Sequence, residues 1–319
     1  LDGTGNVLVT GQYEGVADFD PGPGIYNLTS AGGNDIFAAK LTNDGNFVWA
    51  KSMGGSSEGY GRCVTTDSGG NVYLSGYFYG TADFDPGPGV FNLNSSYAAT
   101  DVYVSKLDAN GNFIWAKEMG GPGQDQCLGL SLDAFGNVYT TGSFSGVADF
   151  DPGPATFNLT SNGYEDIFIS KLDNNGNFVW AKSMGSADND DVGRSIFVDG
   201  SRNIYTTGWF WGTADFDPEA GVYDLTSNGL GDIFIQKLSQ CLVTYDTLSV
   251  TACNSYTLNS QQYLNSGTYI QRLTNSVGCD SILTLDLQLN GSNDTIAATS
   301  CNNYTWQQHT YSASGFYRD

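Results

Sequence analysis

The sequence predicts an all-β protein of repeated four-stranded units followed by smaller β modules. Three observations carry that expectation. The segment Ala82-Asp83-Phe84-Asp85-Pro86-Gly87-Pro88-Gly89 recurs. Asp18-Phe19-Asp20-Pro21-Gly22-Pro23-Gly24 precedes it; Asp149-Phe150-Asp151-Pro152-Gly153-Pro154 and a decayed Asp215-Phe216-Asp217-Pro218 follow. Their opening aspartates stand 65 or 66 residues apart, and a period held so strictly marks a repeat architecture. Composition is the second observation. Aromatics reach 13%, with 19 Tyr, 18 Phe and 42 Gly, which favours strands and tight turns. The third is period-two alternation between turn residues, as in Asp101-Val102-Tyr103-Val104-Ser105-Lys106-Leu107.

The units align on Asn6, Asn71, Asn137 and Asn203, each at the start of an apolar run. Each opens with a strand like Asp101–Leu107. The turn Ala109-Asn110-Gly111-Asn112 follows, supplying the positive φ that a hairpin needs. A second strand, Phe113-Ile114-Trp115-Ala116-Lys117, leads into a Gly-rich loop. A third run ends at Leu132-Asp133, and Asn137-Val138-Tyr139-Thr140-Thr141-Gly142 is the fourth. The Asp-Phe-Asp-Pro-Gly-Pro segment then crosses to the next unit. Four antiparallel strands repeated about an axis make the blade of a β-propeller. Complete units are expected at about 35–80, 101–146 and 166–212, with partial ones at each end of 1–238. Leu1 falls in mid-repeat, so further blades are expected upstream.

Gly-Asn-Val-Tyr-x-Thr-Gly, Asp-Ile-Phe-x-x-Lys-Leu-Asp and Gly-Asn-Phe-Val-Trp-Ala-Lys recur in fixed order, and 1–238 resembles the SBBP-type β-propeller repeat of bacterial secreted proteins. The resemblance implies the fold and an extracellular or cell-surface setting, and no single activity. After Leu238 a second repeat begins. Asp246-Thr247-Leu248, Cys253-Asn254-Ser255-Tyr256-Thr257 and Ser266-Gly267-Thr268-Tyr269 are echoed by Asp294-Thr295-Ile296, Cys301-Asn302-Asn303-Tyr304-Thr305 and Ser314-Gly315-Phe316-Tyr317. Short alternating strands predict a small immunoglobulin-like β-sandwich at 239–290 and part of a second at 291–319. These modules resemble those near the C-termini of Bacteroidetes surface proteins exported by the type IX system.

Charge narrows the partners. Lys+Arg number 12 against 34 Asp+Glu, a formal net charge of −22. Nucleic acid and anionic membranes call for basic patches, so neither is an expected partner. No apolar run is long enough to span a bilayer as a helix. Such a surface attracts cations, Ca²⁺ foremost.

Two readings of the repeated aspartates stay open. In extended backbone Asp18 and Asp20, Asp83 and Asp85, Asp149 and Asp151, and Asp215 and Asp217 point to one side. Each pair, with nearby turn carbonyls, supplies hard oxygen ligands for Ca²⁺. Alternatively they accept hydrogen bonds from turn amides. The lysines fall at two repeat positions, Lys40, Lys106, Lys171 and Lys237 in one and Lys51, Lys117 and Lys182 in the other, so each is expected to meet a regular anion. Leu-Asp-x-x-Gly-Asn-x-x-Trp at Asp108 and Asp173, with Thr42 in the first copy, resembles an Asp-box hairpin that braces a blade.

Binding sites should depart from the repeat. Tyr77-Phe78-Tyr79, Ser143-Phe144-Ser145 and Trp209-Phe210-Trp211 keep the central aromatic and vary around it. Tyr77, Tyr79, Trp209 and Trp211 are therefore candidates for sugar stacking or a protein interface. Gly55-Ser56-Ser57-Glu58-Gly59 matches a nucleophile-elbow pattern, but no helical run follows and His309 is the single histidine. No catalytic residue is assigned and the chain is read as non-enzymatic. Cys253 and Cys279 are spaced for a disulfide across the sandwich. Thr247, Ser281 and Thr295 fit the O-glycan triplet that the Bacteroidetes resemblance implies; Asn27, Asn94, Asn158, Asn290 and Asn303 fit Asn-x-Ser/Thr. The expected function is a structural component of an extracellular assembly or fibre, whose partners are copies of itself, other surface proteins or glycans. The alternatives are a carbohydrate- or Ca²⁺-dependent adhesion module, and the non-catalytic part of a larger secreted hydrolase.

Overall fold

Alternating apolar residues and glycine-bearing turns place the ordered backbone in strands, and the described residues contain no helix. The computed structural model describes the 319 residues except 97, 98, 188, 220, 241–243, 275–279, 291–297, 300, 301, 307 and 316–319. Two compact units result, Leu1–Gln240 and Cys241–Asp319.

Among the described residues the first unit holds four larger sheets and three two-stranded hairpins. Sheet 1 follows β1 (Val7–Tyr13), a small hairpin of β2 (Val16–Asp18) and β3 (Asn27–Thr29), then β4 (Asp35–Leu41) and β5 (Phe47–Met53). Its strand order is β1-β4-β5. Sheet 2 comprises β6 (Gly59–Thr66), β7 (Val72–Tyr79), the hairpin β8 (Thr81–Asp83) with β9 (Asn92–Asn94), β10 (Thr100–Leu107) and β11 (Phe113–Met119), in the order β6-β7-β10-β11. Sheet 3 repeats it with β12 (Asp125–Leu132), β13 (Val138–Phe144), the hairpin β14 (Val147–Asp149) with β15 (Asn158–Thr160), β16 (Asp166–Leu172) and β17 (Phe178–Ser186), ordered β12-β13-β16-β17 and extended beyond β17 by β20 (Thr213–Asp215) and β21 (Asp224–Thr226). Sheet 4 has β18 (Val192–Val198), β19 (Asn203–Phe210) and β22 (Asp232–Ser239), ordered β18-β19-β22, with the β20–β21 hairpin lying between β19 and β22 in the chain.

This frame corrects the expected units. Strands predicted to close one unit pair with those that open the next: β7 pairs antiparallel with β10, Val102 opposite Tyr77. The Asp-Phe-Asp-Pro segment thus lies within a sheet's sequence, and the Gly-rich loop makes the crossing. The segment still ties neighbours together. Asp83 and Gly54, at the end of β5, exchange backbone hydrogen bonds of 2.8 and 3.0 Å. Gly120 and Asp149 do the same, and Gly185 pairs with Asp215.

The sheets pack in series. β6 lies against β1 and β4; β12 lies against β6, β7 and β10; β18 lies against β12, β13 and β16. At each of the three junctions the outer face of one sheet is covered by the covering face of its successor. Between sheets 1 and 2, Ile36, Ala38 and Met53 meet Val72, Leu74, Phe78, Phe84, Tyr103 and Leu107. Val102, Val104 and Met119 meet Val138, Phe144, Phe150 and Phe168 at the next junction. Ile167, Ile169 and Met184 meet Ile204, Phe210, Phe216 and Phe234 at the third. The central aromatics Phe78, Phe144 and Phe210 are core, and Phe84, Phe150 and Phe216 plug the junctions.

In the second unit β23 (Thr244–Cys253), β24 (Tyr256–Leu258), β25 (Gln261–Tyr263), β26 (Gly267–Thr274) and β27 (Asp280–Asn290) precede a hairpin of β28 (Tyr304–Trp306) and β29 (His309–Tyr311). β23 runs parallel to β27, which pairs antiparallel with β26. Tyr263, Leu285 and Leu287 form its core. Cys253 stands opposite Asn290 in the parallel register and carries a free, exposed thiol. Its expected disulfide partner, Cys279, lies outside the described residues.

Candidate functional site

The Asp-Phe-Asp-Pro segments show one geometry four times. Asp83 Oδ1 accepts the N–H groups of Asp85 at 3.0 Å and Phe91 at 2.8 Å, and Asp85 Oδ1 accepts that of Gly87 at 2.8 Å. Asp18 and Asp20 repeat it with Tyr26 and Gly22, and Asp149 and Asp151 with Phe157 and Gly153. Asp215 and Asp217 do so with Tyr223 and Glu219. The carboxylates thus close a Pro-Gly turn whose amides have no other acceptor. The Tyr26 and Asp20 amides hold Asp18 below the usual carboxylate range. Among the described residues no three His, Cys, Asp or Glu side chains converge to hold a metal ion.

Lys40, Lys51, Lys106, Lys117 and Lys171 meet different aspartates from those of this motif. In sheets 2 and 3 Asp-x-x-Gly-Asn turns join the first two strands and again the last two; Asp199 opens the variant Asp199-Gly200-Ser201-Arg202-Asn203 turn of sheet 4, and Thr42 replaces the aspartate between β4 and β5. In the turn between β6 and β7, Asp67 Oδ1 accepts the amides of Gly69 and Asn71, and Oδ2 accepts Asn71 Nδ2 at 2.8 Å. Lys106 Nζ lies 3.9 Å from that oxygen and 4.8 Å above the Tyr73 ring. Lys40 pairs with Asp2 at 2.9 Å, which drives the Asp2 carboxyl far down. Lys171 lies over Tyr139 beside Asp133 and donates to Gln240 Oε1 at 2.8 Å. Lys51 and Lys117 stand near Asp108 and Asp173 in the other turn type, and Lys182 pairs with Glu219.

Sequence reasoning missed a third row of acids. Asp35, Asp101 and Asp166 stand at the start of β4, β10 and β16 and are buried. Their Oδ2 atoms accept the amides of Ala31, Ser96 and Asn162 at 2.8–3.0 Å. Their Oδ1 atoms have no partner. Burial pushes Asp101 up to about 8, helped by a neighbouring Glu118 whose own carboxyl burial also raises. Burial pushes Asp125 to about 7 and Asp166 to about 6. Elevated acids are a signature of catalysis, but these side chains are sealed from solvent and cannot meet a substrate. The repeated Asp before Ile-Phe or Val-Tyr was the available signal.

The candidate binding aromatics separate. Tyr77 is buried, stacked 4.9 Å from Tyr60, and its hydroxyl accepts from Arg62, so it is closed to a sugar. Tyr79 is exposed at the end of β7. Trp209 stands opposite Ile233 on the outer face of sheet 4. Trp211 follows the strand, its backbone N–H donating to Asp191 Oδ1 at 2.9 Å and its indole ring lying against Gly231. Asn27, Asn94, Asn158, Thr247, Asn290 and Asn303 are exposed. Ser281 lies in β27, and Thr295 lies outside the described residues.

A cavity of about 610 Å³ opens where the ends of β6, β12 and β18 meet. Asp67, Lys106, Asp133, Phe135 and Phe197 line it. Both phenylalanines are exposed and break the repeat: Phe135 stands where other copies have Thr4, Gly69 and Ser201, and Phe197 where they have Thr65 and Ser131. Arg202 lies 4.6 Å above the Phe135 ring.

No family model matches the chain. Over 223 residues it is 27% identical to an uncharacterised WD repeat-containing protein of Acanthamoeba polyphaga mimivirus, covering 61% of this chain and 16% of that protein. It is also 27% identical over 177 residues to the regulatory protein FlaEY of Caulobacter vibrioides, covering 54% of this chain and 18% of that one. The chain spans less than a fifth of either relative's length. Together with serially packed antiparallel sheets, the WD-repeat likeness marks a repeat protein of the β-propeller type.

Proposed function

We propose that this chain is a non-catalytic module of an extracellular or cell-surface assembly, a rigid repeat scaffold for attachment. One observation carries the reading: the repeated Asp-Phe-Asp-Pro and Asp-x-x-Gly-Asn aspartates close their own turns in copy after copy, so the repeated polar chemistry serves the scaffold. On this reading the sheets belong to a closed propeller of the SBBP type. The second unit, with its parallel β23–β27 pair, belongs to the immunoglobulin-like modules of type IX cargo. Antibody raised against the chain should label intact cells of the producing organism, and protease added outside should remove the label. Signal only after lysis would sink the proposal.

The cavity favours a second reading, carbohydrate-dependent adhesion. Exposed aromatic faces beside carboxylates and a lysine suit a sugar ring. Glycan-array binding lost in Phe135→Ala, Phe197→Ala, Trp209→Ala or Trp211→Ala would support it; no bound glycan would dismiss it. Repeating the array in Ca²⁺ and in EDTA separates a metal-dependent site from a metal-free one.

A further inference from the structure

Two thiols meet at the junction of sheets 2 and 3. Cys63 lies in β6 directly opposite Ser75 of β7, so their side chains share one face. Cys127 lies in β12 of the next sheet, and its Sγ donates to Ser75 Oγ at 3.3 Å. Cys63 Sγ reaches across in turn and donates to Leu128 O, the carbonyl of the residue after Cys127, at 3.2 Å. Both thiols are free.

Three linked departures from the repeat build this meeting. Where sheet 3 has Cys127, sheets 2 and 4 have Gly61 and Gly193. A Cβ added at those glycines would meet Thr10 Oγ1 at 2.5 Å and Thr141 Oγ1 at 2.2 Å. Those hydroxyls are fixed on Phe37 O and Phe168 O. Sheet 2 has Ser75 in place of the threonine, and the smaller side chain leaves room for Cys127. Cys63, in turn, stands where sheets 3 and 4 have Gly129 and Ser195. The two cysteines occupy different positions of the repeat. They meet because β12 lies against β6 and β7, with both first strands bulged there, between Gly61 and Cys63 and between Cys127 and Gly129.

We infer that Cys63 and Cys127 form a disulfide that clamps sheet 2 to sheet 3. Rotation of the Cys63 side chain from Leu128 O toward Ser75 sets sulfur against sulfur, with the Ser75 hydroxyl displaced. The oxidant is a small disulfide, the oxidised form of a low-molecular-weight thiol. Cys63, the less buried of the pair, attacks as thiolate; the oxidant's S–S bond breaks, one small thiol leaves and a mixed disulfide forms on Cys63. The Cys127 thiolate then attacks the Cys63 sulfur and releases the second small thiol. The protein's two thiols lose two electrons, which the oxidant gains, and their two protons pass to the released thiolates. Burial raises both cysteines, so the exchange quickens as pH rises.

The test is incubation of the full 319-residue chain with oxidised glutathione at pH 8, blocking of remaining thiols after denaturation, and peptide mapping without reduction. A peptide pair joined through Cys63 and Cys127 is expected. The bond closes a loop of about 64 residues, so the parent's melting midpoint should rise on oxidation by roughly 5 °C more than that of Cys63→Ser or Cys127→Gly. Each variant restores a residue that another copy carries at that position, so circular dichroism should stay as in the parent. Recovery of the two cysteines as blocked thiols, as glutathione adducts or joined to other cysteines overturns the inference. So does a midpoint that rises equally in parent and variants. The oxidant is supplied, so the result is independent of where the chain resides, and the assembly role fails or stands separately.

Discussion

Asp83 shows why one residue type recurs so faithfully. Its Oδ1 gathers two amides that a Pro-Gly turn leaves without carbonyl partners. Asparagine keeps that oxygen, so Asp83→Asn should alter stability by no more than about 0.5 kcal/mol, whereas Asp83→Ala should cost about 1–2 kcal/mol in chemical denaturation. Equal losses for both, together with a melting point that rises in Ca²⁺, would show that the charge holds a cation. Gly70 makes a second case. It has a φ of +82° in the Asp67 turn, and an added Cβ meets only ordinary contacts. Gly70→Ala should therefore cost about 1 kcal/mol through backbone strain alone, and a denaturation midpoint equal to that of the parent would contradict the turn geometry. Residues of this kind were legible in the sequence because local turn chemistry fixes them. Phe135 and Phe197 were legible only as departures from the repeat, since which departures share a cavity depends on how sheets meet.

The phase of the repeat was hidden at the scale of the element. A period of 65 or 66 residues has no origin, and short connections are the commoner choice within a sheet. That favoured the Gly-rich loop near Gly120 as the link within a unit. The fold instead links β7 to β10 through the longer segment, which folds its own hairpin and pins Asp83 to Gly54 of the preceding sheet. Buried acids were hidden too, because alternation marks a strand start without saying how deep it lies. They set a pH response. Acids raised in the folded state contribute full stability below about 3.8, their ordinary value, where both states are protonated. Between there and about 6 for Asp166, 7 for Asp125 and 8 for Asp101 the unfolded chain releases protons that the fold retains, so stability falls as pH rises. Asp67, Asp133 and Asp199, held below their ordinary range, act in the other direction under acid. The melting temperature should fall between pH 5 and pH 8.5, and Asp101→Asn should flatten that fall. A parent profile that rises over this interval, or a variant with the parent's slope, contradicts it.

On the largest scale, four sheets laid in series give the first unit three junctions, each closed by the same apolar plug. The repeat itself could be read from spacing, because each copy carries the same plug, turns and lysines. Which copies lie buried could not, since Asp232-Ile233-Phe234-Ile235, exposed at Ile233 and Ile235, reads like its buried counterparts. Hydrogen–deuterium exchange of the full chain tests the account most directly. Amides of the β7–β10 and β13–β16 pairs, which lie between packed sheets, should exchange far more slowly than those of Val7–Tyr13 and Asp232–Ser239. Equal exchange in all four segments would contradict the account.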